Sequence, residues 1–544
     1  MNYGSSAALA TDLKIINFSG QSSFAMTSMD TAHSILRSAK HFFAGTLLSR
    51  FSGLFRDVTM AFCFGSSPKI AAFMVAYRLA NLFRRILGES SLQAGFIPHF
   101  EALRKEHPKE AFLFYRDTAF SLAVLLLGVV FGLEIVLFSI EGHLTQGWKE
   151  IAILTEWMVP GLLFICLFAL HNSLLQCQKK YFSAAFAPVL FNGVWIVFAI
   201  TKGSIQFLSF GITIAFFAQW LLTAFKVKKE WGTILNWQEW FRPKLFSLEW
   251  KKIIGPMVLG ILGVSAMQIN SAVDAIFARI ADPQGPAFLW YAIRVQQLPL
   301  ALFGIALSGA LLPPLSRAMQ EGDFSRYKEL LVISLKRGTV LMVPCMFGIF
   351  ALGPSGLNLL YGRGGFSSED VRQTLLCLWA YGIGLIPAAF TLLLATSFYA
   401  KKAYKKPTFA TCFSIGMNLG LNALMVFWLQ LGAVSIALAT SLSVLINCAI
   451  LFSKTEIGSD FWRYFVKVFI GGGFAAFFTM GVGLFLGDGT ILICLGEEFL
   501  FPHSFSIQLM QFGVLATVFA GSFLAVAKVF RVEEIFVLLW SIKS

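Results

Sequence analysis

Apolar residues run in long blocks through almost the whole chain, separated by short polar or basic breaks. A helix of about 20 apolar residues spans the hydrocarbon core of a bilayer. The pattern predicts fourteen such segments, at 36–64, 71–99, 112–138, 151–176, 184–201, 206–226, 252–278, 286–315, 329–352, 371–399, 408–430, 433–453, 464–487 and 506–530. The first, second and eighth are interrupted by charge, Gly or Pro, and are kept because the gaps would otherwise be implausibly long. The predicted fold class is an all-α polytopic membrane protein.

The polar breaks carry the orientation. Connections after even-numbered segments hold most of the Lys and Arg, among them Arg104, Lys105, Lys179, Lys180, Lys228, Lys229, Lys401, Lys402, Lys405 and Lys406. Connections after odd-numbered segments hold little beyond Lys69, Lys149, Lys202, Arg279 and Arg363. Basic loops stay cytoplasmic, so both termini are expected inside. Residues 1–35 read as a disordered cytoplasmic tail, polar and rich in Ser, Ala and Thr, with no basic-then-apolar leader.

The chain also repeats. A shift of 216 residues lays Ser49 on Ser265, Ala76 on Ala292, Arg78 on Arg294, Gly88 on Gly304 and Pro98 on Pro314. Lys179-Lys180-Tyr181 is echoed by Lys401-Lys402-Ala403-Tyr404. A shift of six helices inserts both copies the same way up. That predicts two pseudo-symmetric six-helix lobes, 36–226 and 252–453, with a central site between them. An amphipathic cytoplasmic linker, 227–251, carries Trp231, Trp237, Trp240 and Trp250 among basic residues. Two additional helices occupy 454–544.

Composition agrees. The chain is 57% hydrophobic and 13% charged, whereas soluble domains carry about 25% charge. The net charge of +14 is accounted for by cytoplasmic loops, and no nucleic-acid partner is expected. The eight cysteines are scattered without CxxC or CxxH spacing, which argues against disulfides and metal ligation. The sequence holds no phosphate-binding Gly-x-x-x-x-Gly-Lys-Ser/Thr loop, no His/Asp/Glu cluster and no triad. No enzymatic activity is expected.

One feature does not fit a purely apolar membrane protein. Segments one and two hold Arg50, Arg56, Arg78, Arg84 and Arg85 against only Asp57 and Glu89. A charge at bilayer depth costs about 2.5–3.5 kcal/mol. Arg78, Asn81, Arg85 and Glu89 are three or four residues apart and fall on one helical face. Arg50, Gly53 and Asp57 share another face, with Arg56 beside it. Guanidinium groups bind phosphate bidentately and stay charged when buried. The pattern points to a cavity for an anion, with a diphosphate engaging several donors. The alternative pairs Arg50 with Asp57 and Arg85 with Glu89 and lets the outer arginines snorkel. The acids are too few for that.

Further along, Arg294 is the one cation within segment eight, and Asp274 is isolated in segment seven. Asn418 and Asn422 lie four apart on one face. Such oxygen ligands suit Na⁺ or H⁺, and a hydrogen-bonded helix contact explains the two asparagines equally well. Lys336 and Arg337 read as snorkelling side chains, and Glu134 and Glu156 as solvated ones.

Three motif groups resemble the MurJ (MviN) family of lipid II flippases. They are Ser49-Arg50-x-x-Gly53-x-x-Arg56-Asp57, then Asn81-Leu82-Phe83-Arg84-Arg85-Ile86-x-x-Glu89 with Phe96-Ile97-Pro98, and Tyr291-Ala292-x-Arg294 with Gly304-Ile305-Ala306-Leu307. Ala184-Ala185-Phe186-Ala187-Pro188 through Asn192 is similar to the start of the family's fifth helix. The resemblance implies fourteen helices, a V-shaped pair of lobes, a cationic cavity, and a polyprenyl-tail groove at the last two helices. It ties the family's important charged positions to Arg50, Arg56, Asp57, Arg84, Arg85 and Arg294. It also implies an Na⁺ site at Asp274, Asn418, Asn422 and Thr440. Two departures stand out. Ala71 replaces an acid common at the start of helix two, and Asn422 stands where some Na⁺-binding members have an acid.

The expectation is a flippase that moves lipid II, undecaprenyl-diphosphate bearing the peptidoglycan disaccharide-pentapeptide, across the bacterial cytoplasmic (inner) membrane by alternating access. Its surroundings are membrane lipids and, as partners, cell-wall synthesis enzymes. The rivals are an exporter of another polyprenyl-linked glycan or small molecule, and a non-transporting scaffold for wall synthesis. Neither a scaffold nor a carrier of cationic drugs needs mid-membrane arginines.

Overall fold

A computed structural model describes residues 32–86, 90–201, 203–486, 504–532 and 534–535. Its helices, in chain order, are α1 (Ala32–Phe64), α2 (Pro68–Arg84), α3 (Ser90–Glu106), α4 (Pro108–Glu141), α5 (Gln146–Met158), α6 (Gly161–Cys177), α7 (Tyr181–Ile200), α8 (Ile205–Trp231) and α9 (Trp237–Trp240). They continue as α10 (Leu248–Ala281), α11 (Gly285–Pro299), α12 (Ile305–Gln320), α13 (Phe324–Tyr361), α14 (Ser368–Ile383), α15 (Leu385–Ala400), α16 (Lys405–Ala423), α17 (Val434–Ser453), α18 (Ser459–Phe485) and α19 (Phe505–Val529). No strand occurs among the described residues.

A helix overlaps each of the fourteen predicted segments. By length and composition, nine spans among the described residues can cross a membrane, or ten if α5 and α6, bent by 46°, form one. The apolar surface confirms lipid as the surrounding solvent. On α4, Leu127, Phe131, Val136 and Phe138 are all more than half exposed, an outward apolar stripe that water would not tolerate.

The helices pack in two groups. Helix α1 lies on α7, and α6 and α5 pack on α8; in the other group α14 and α15 pack on α17, and α12 and α13 on α15. The repeat reaches down to the connections. Lys179 and Lys402 both adopt the left-handed conformation, φ 57°. Each closes a Schellman cap, with Lys180 N–H donating to Leu175 O and Ala403 N–H to Phe398 O. Lys109–Glu239 and Lys328–Glu456 are likewise matching ion pairs, each holding the connection after the group's last helix against the first turn of α4 or α13.

Two expectations change, and a third lies outside the described residues. The predicted helix 71–99 is not one regular α-helix among the described residues: α2 stops at Arg84, and Arg85 and Ile86 form a wider π turn. Such a turn changes the phase of the residues that follow, and Glu89, the last residue of the face drawn through Arg78, Asn81 and Arg85, lies outside the described residues. The connection between the groups, expected as an amphipathic linker over 227–251, is shorter. Helix α8 runs on to Trp231, whose ring stacks 4.1 Å from Trp240, and α9 is only four residues long. The linker is instead pinned to α4. Arg116, paired with Asp117 at 2.6 Å, donates to Glu239 O, and Lys244 N–H donates to Asp117 at 3.0 Å. The predicted tail, apart from the start of α1, lies outside the described residues, as do 487–503 between the last two helices.

The two groups meet at both ends of the bundle. At one end, α3 packs on α10, with His99 Nε2 and Glu249 Oε2 2.7 Å apart. At the other, the α1–α2 connection is received by the second group. Carbonyls of Phe62, Gly65 and Pro68 accept from Gly365 N–H at 2.8 Å, Tyr291 O–H at 3.2 Å and Arg279 at 2.9 Å. Ser66 O–H donates to Asp370 at 2.5 Å. Gly65 has φ 62°, and a Cβ there would sit 2.1 Å from Gly365 O. Only glycine allows this approach.

Candidate functional site

Between the groups lies a cavity of about 450 Å³. Helix α1 is unbroken through Gly53 and presents Arg50, Arg56 and Asp57 to it; α2 presents Arg78, Asn81, Arg84 and Arg85; α11 presents Arg294. Six arginines and one carboxylate therefore line it among the described residues. Glu89 lies outside the described residues.

Asp57 is the hub, with 1% of its surface exposed. Its Oδ1 accepts from Arg56 Nε at 3.0 Å and Nη2 at 2.8 Å, and from Trp290 Nε1 at 3.3 Å. Its Oδ2 faces Arg294 Nε at 3.2 Å. That last contact is an ion pair without hydrogen-bond alignment, and Arg294 Nε is buried with no aligned acceptor. The predicted alternative pair Arg50–Asp57 is not formed. Arg50 is exposed at the cavity wall.

Neutral groups also contact the cations. Arg56 donates to Asn192 Oδ1 at 3.0 Å, Asn192 donates to Ser52 at 2.8 Å, and the Arg56 guanidinium lies 4.3 Å from the Trp195 ring centre. Trp290 carries Arg294 at 4.4 Å and Arg78 at 5.9 Å on its ring. Arg84 donates to Asn81 Oδ1 at 2.7 Å, and Asn81 to Tyr77 O at 3.0 Å. Arg85 reaches α10, donating to Gln268 at 3.2 Å. Cation–π contact stabilises a desolvated guanidinium without consuming its charge. The arrangement holds several positive charges rigidly around one space, which is what a multiply charged anion needs.

Sequence reasoning missed Trp195, Trp290, Asn192 and Gln268. Asn192 was visible as a polar residue in an apolar run. Trp290 was visible one turn before Arg294, where it shares that helical face.

The second candidate site joins α10 to α16. Asp274 Oδ1 accepts from Asn422 at 2.7 Å and Asn418 at 3.0 Å, and Asn270 donates to Oδ2 at 3.4 Å. The predicted trio therefore does come together. The Thr440 hydroxyl donates to Ile436 O one turn back on α17. The amide oxygens of Asn418 and Asn422 are buried without partners. One carboxylate with two orphaned carbonyl oxygens on adjoining side chains fits a hard monovalent cation, once the amides turn their oxygens to it. Helix α16 passes into a π segment, Leu424–Trp428, directly after this site, and α11 into another, Leu300–Gly304, soon after Arg294. π segments recur at functional positions.

Two bland readings change. Glu134 is half-buried, with Oε1 out of contact with solvent and unpartnered among the described residues. Lys336 is anchored, 3.8 Å from Glu534 and over the Tyr464 ring at 5.1 Å.

Comparison with known proteins adds the following. A family model described as lipid II flippase MurJ matches residues 60–492. The probable lipid II flippase MurJ of Chlamydia pneumoniae is 30% identical over 529 residues, covering 94% of this chain and 95% of that protein. Its counterpart in Aquifex aeolicus is 30% identical over 422 residues, covering 75% and 81%. A solved lipid II flippase MurJ in an inward closed conformation superimposes with TM-score 0.73 at 22% identity, covering 91% of this chain and 99% of that one. An inward-facing MATE transporter of the MOP superfamily gives TM-score 0.61 at 16% identity, covering 74% and 93%.

Proposed function

Because the chain belongs to the lipid II flippase MurJ family, we propose that it carries lipid II from the inner to the outer leaflet of the cytoplasmic membrane by alternating access. The observation that carries this reading is the cavity between the two helix groups, lined by six arginines and one carboxylate. Guanidiniums of Arg50, Arg56, Arg78, Arg84, Arg85 and Arg294 hold the diphosphate, with Asn81 positioning Arg84, and Asp57 positioning Arg56 and Arg294 before it enters. The polyprenyl tail stays in lipid along α18 and α19. The two groups, 36–226 and 252–453, rock about the site, and the α1–α2 connection against α13–α14 forms the outer seal. Both termini lie in the cytoplasm. A cationic drug would meet repulsion from the same arginines.

Asp274, Asn418 and Asn422 hold Na⁺ in this reading, and the ion, when bound, supplies the positive charge that the buried carboxylate otherwise lacks. In its absence the two amides satisfy Asp274 by hydrogen bonds, which keeps α10 and α16 together.

The test is complementation of a conditional lipid II flippase mutant, together with an assay of lipid II at the outer face. Restored growth with restored outer-leaflet lipid II supports the reading. Growth failure with protein present in the membrane, and no outer-leaflet lipid II, removes it.

A further inference from the structure

Asp57 touches both helix groups, and its partners are the groups that the substrate would need. Arg56, on its own helix, gives it two N–H bonds, while Trp290 and Arg294 reach it from α11. We propose that Asp57 is a displaceable counter-anion: in the unladen protein its carboxylate takes the place of a phosphate oxygen between Arg56 and Arg294, and a diphosphate entering the cavity removes it. The inference rests on the diphosphate reading above.

Three observations support displacement over a fixed structural pair. Arg56, Asp57 and Arg294 all line the cavity, so an incoming anion meets them directly. Arg294 is held by charge and by the Trp290 ring, since its Nε has no aligned acceptor and it makes no hydrogen bond among the described residues. A diphosphate offers that guanidinium a bidentate partner, which a single misaligned carboxylate oxygen does not. Asp57 is also the one acid lining the cavity among the described residues, so a bound diphosphate would stand beside a single like charge.

That like charge gives the switch its direction. Helices α1 and α11 are joined at two levels, through Asp57 and, near the α1–α2 connection, through the Tyr291 O–H on Gly65 O. Loading replaces attraction between Asp57 and Arg294 with repulsion between Asp57 and phosphate. The inner tie is lost and only the seal keeps the two helices together. An empty cavity keeps the tie, so the lobes do not separate without cargo. A ligand shifts such an equilibrium only by its differential affinity for the two states, and the Asp57 contact supplies that difference.

The experiment measures binding of inorganic pyrophosphate by calorimetry to the purified full chain, to Asp57→Asn, to Asp57→Glu and to Arg294→Ala. In parallel, spin labels at the exposed positions Lys69 and Glu369 report separation across the seal. Asp57→Asn is expected to bind about fivefold tighter or more, the scale of coupling between linked sites. Its unliganded distance distribution should match that of the wild type with pyrophosphate bound. Asp57→Glu should return both towards wild type. Equal or weaker binding by Asp57→Asn, with wild-type binding intact and lost in Arg294→Ala, overturns the inference and makes Asp57 a fixed support for Arg56. No pyrophosphate binding by any form overturns the diphosphate reading, and this inference with it.

Discussion

Arg294 of α11 and Asp57 of α1 meet at 3.2 Å, Nε to Oδ2, across the boundary between the two helix groups. The contact makes the cationic cavity a joint product of both halves. Arg56 and Arg294 converge because one carboxylate draws them together from different helices.

Arg56, Arg84 and Arg294 are each expected to be needed for transport. Alanine at any of them should cut outer-leaflet lipid II by about tenfold or more, the scale of losing charged hydrogen bonds. Lysine should restore only part, because it lacks the planar fork. Immunoblots of membrane fractions should show unchanged protein. Normal export by all three alanine variants would rule out the cavity as the binding site.

Gly65→Ala should damage the seal. Its Cβ would fall 2.1 Å from Gly365 O at φ 62°, and such backbone strain costs about 1–3 kcal/mol. Thermal unfolding should come at lower temperature. Cys63, left as the sole cysteine, should label faster with an impermeant thiol reagent added outside. No change in either measurement would mean that this contact does not close the protein.

The loop charges place Lys405 inside and the α13–α14 connection outside. Gly364 is a poor reporter there, since a Cβ would lie 2.4 Å from Phe62 O. Glu369, exposed in the same region, is a better one. Single cysteines at 405 and 369 should label from opposite faces of the membrane. Labelling from one face would overturn the orientation.

Na⁺ should raise the thermal stability of the purified protein, and Asp274→Asn should abolish that rise while Thr440→Ala leaves it. Transport in vesicles, with Na⁺ exchanged for an inert cation at fixed pH and potential, should slow. If neither stability nor transport responds to Na⁺, the Asp274 cluster is a helix contact only.

Asp117→Ala should free the linker from α4. Removing one member of a buried ion pair costs about 3–5 kcal/mol, and here it also strips Lys244 N–H of its acceptor. Limited proteolysis should cut within 232–247 faster than in the wild type. Equal cleavage rates would show that the Trp231–Trp240 stack holds the linker unaided.

The arginines were legible in the sequence because charge inside an apolar run has few explanations. Asp274 with Asn418 and Asn422 was legible for the same reason. The pairings were not. Helical spacing suggested Arg50 as the partner of Asp57, yet the adjacent Arg56 folds back to it and Arg294 arrives from a remote helix. Neither follows from periodicity, which describes one helix and not the packing of two. Trp195 and Trp290 were overlooked because tryptophan in a membrane chain is usually read as an interfacial anchor, whereas here both rings bed guanidiniums. The π turn at Arg85 and Ile86 was not legible, because hydrophobic spacing does not separate it from an α-helical turn.

The linker pinned to α4 bears on how the chain could be cut. Its contacts through Arg116, Asp117 and Ser121 belong to the first half, while the following helix is clasped to α3 by His99 and Glu249. Peptide continuity between Phe246 and Glu249 therefore adds little to the register of the halves. A protein expressed as two fragments divided there would reassemble from its own surfaces.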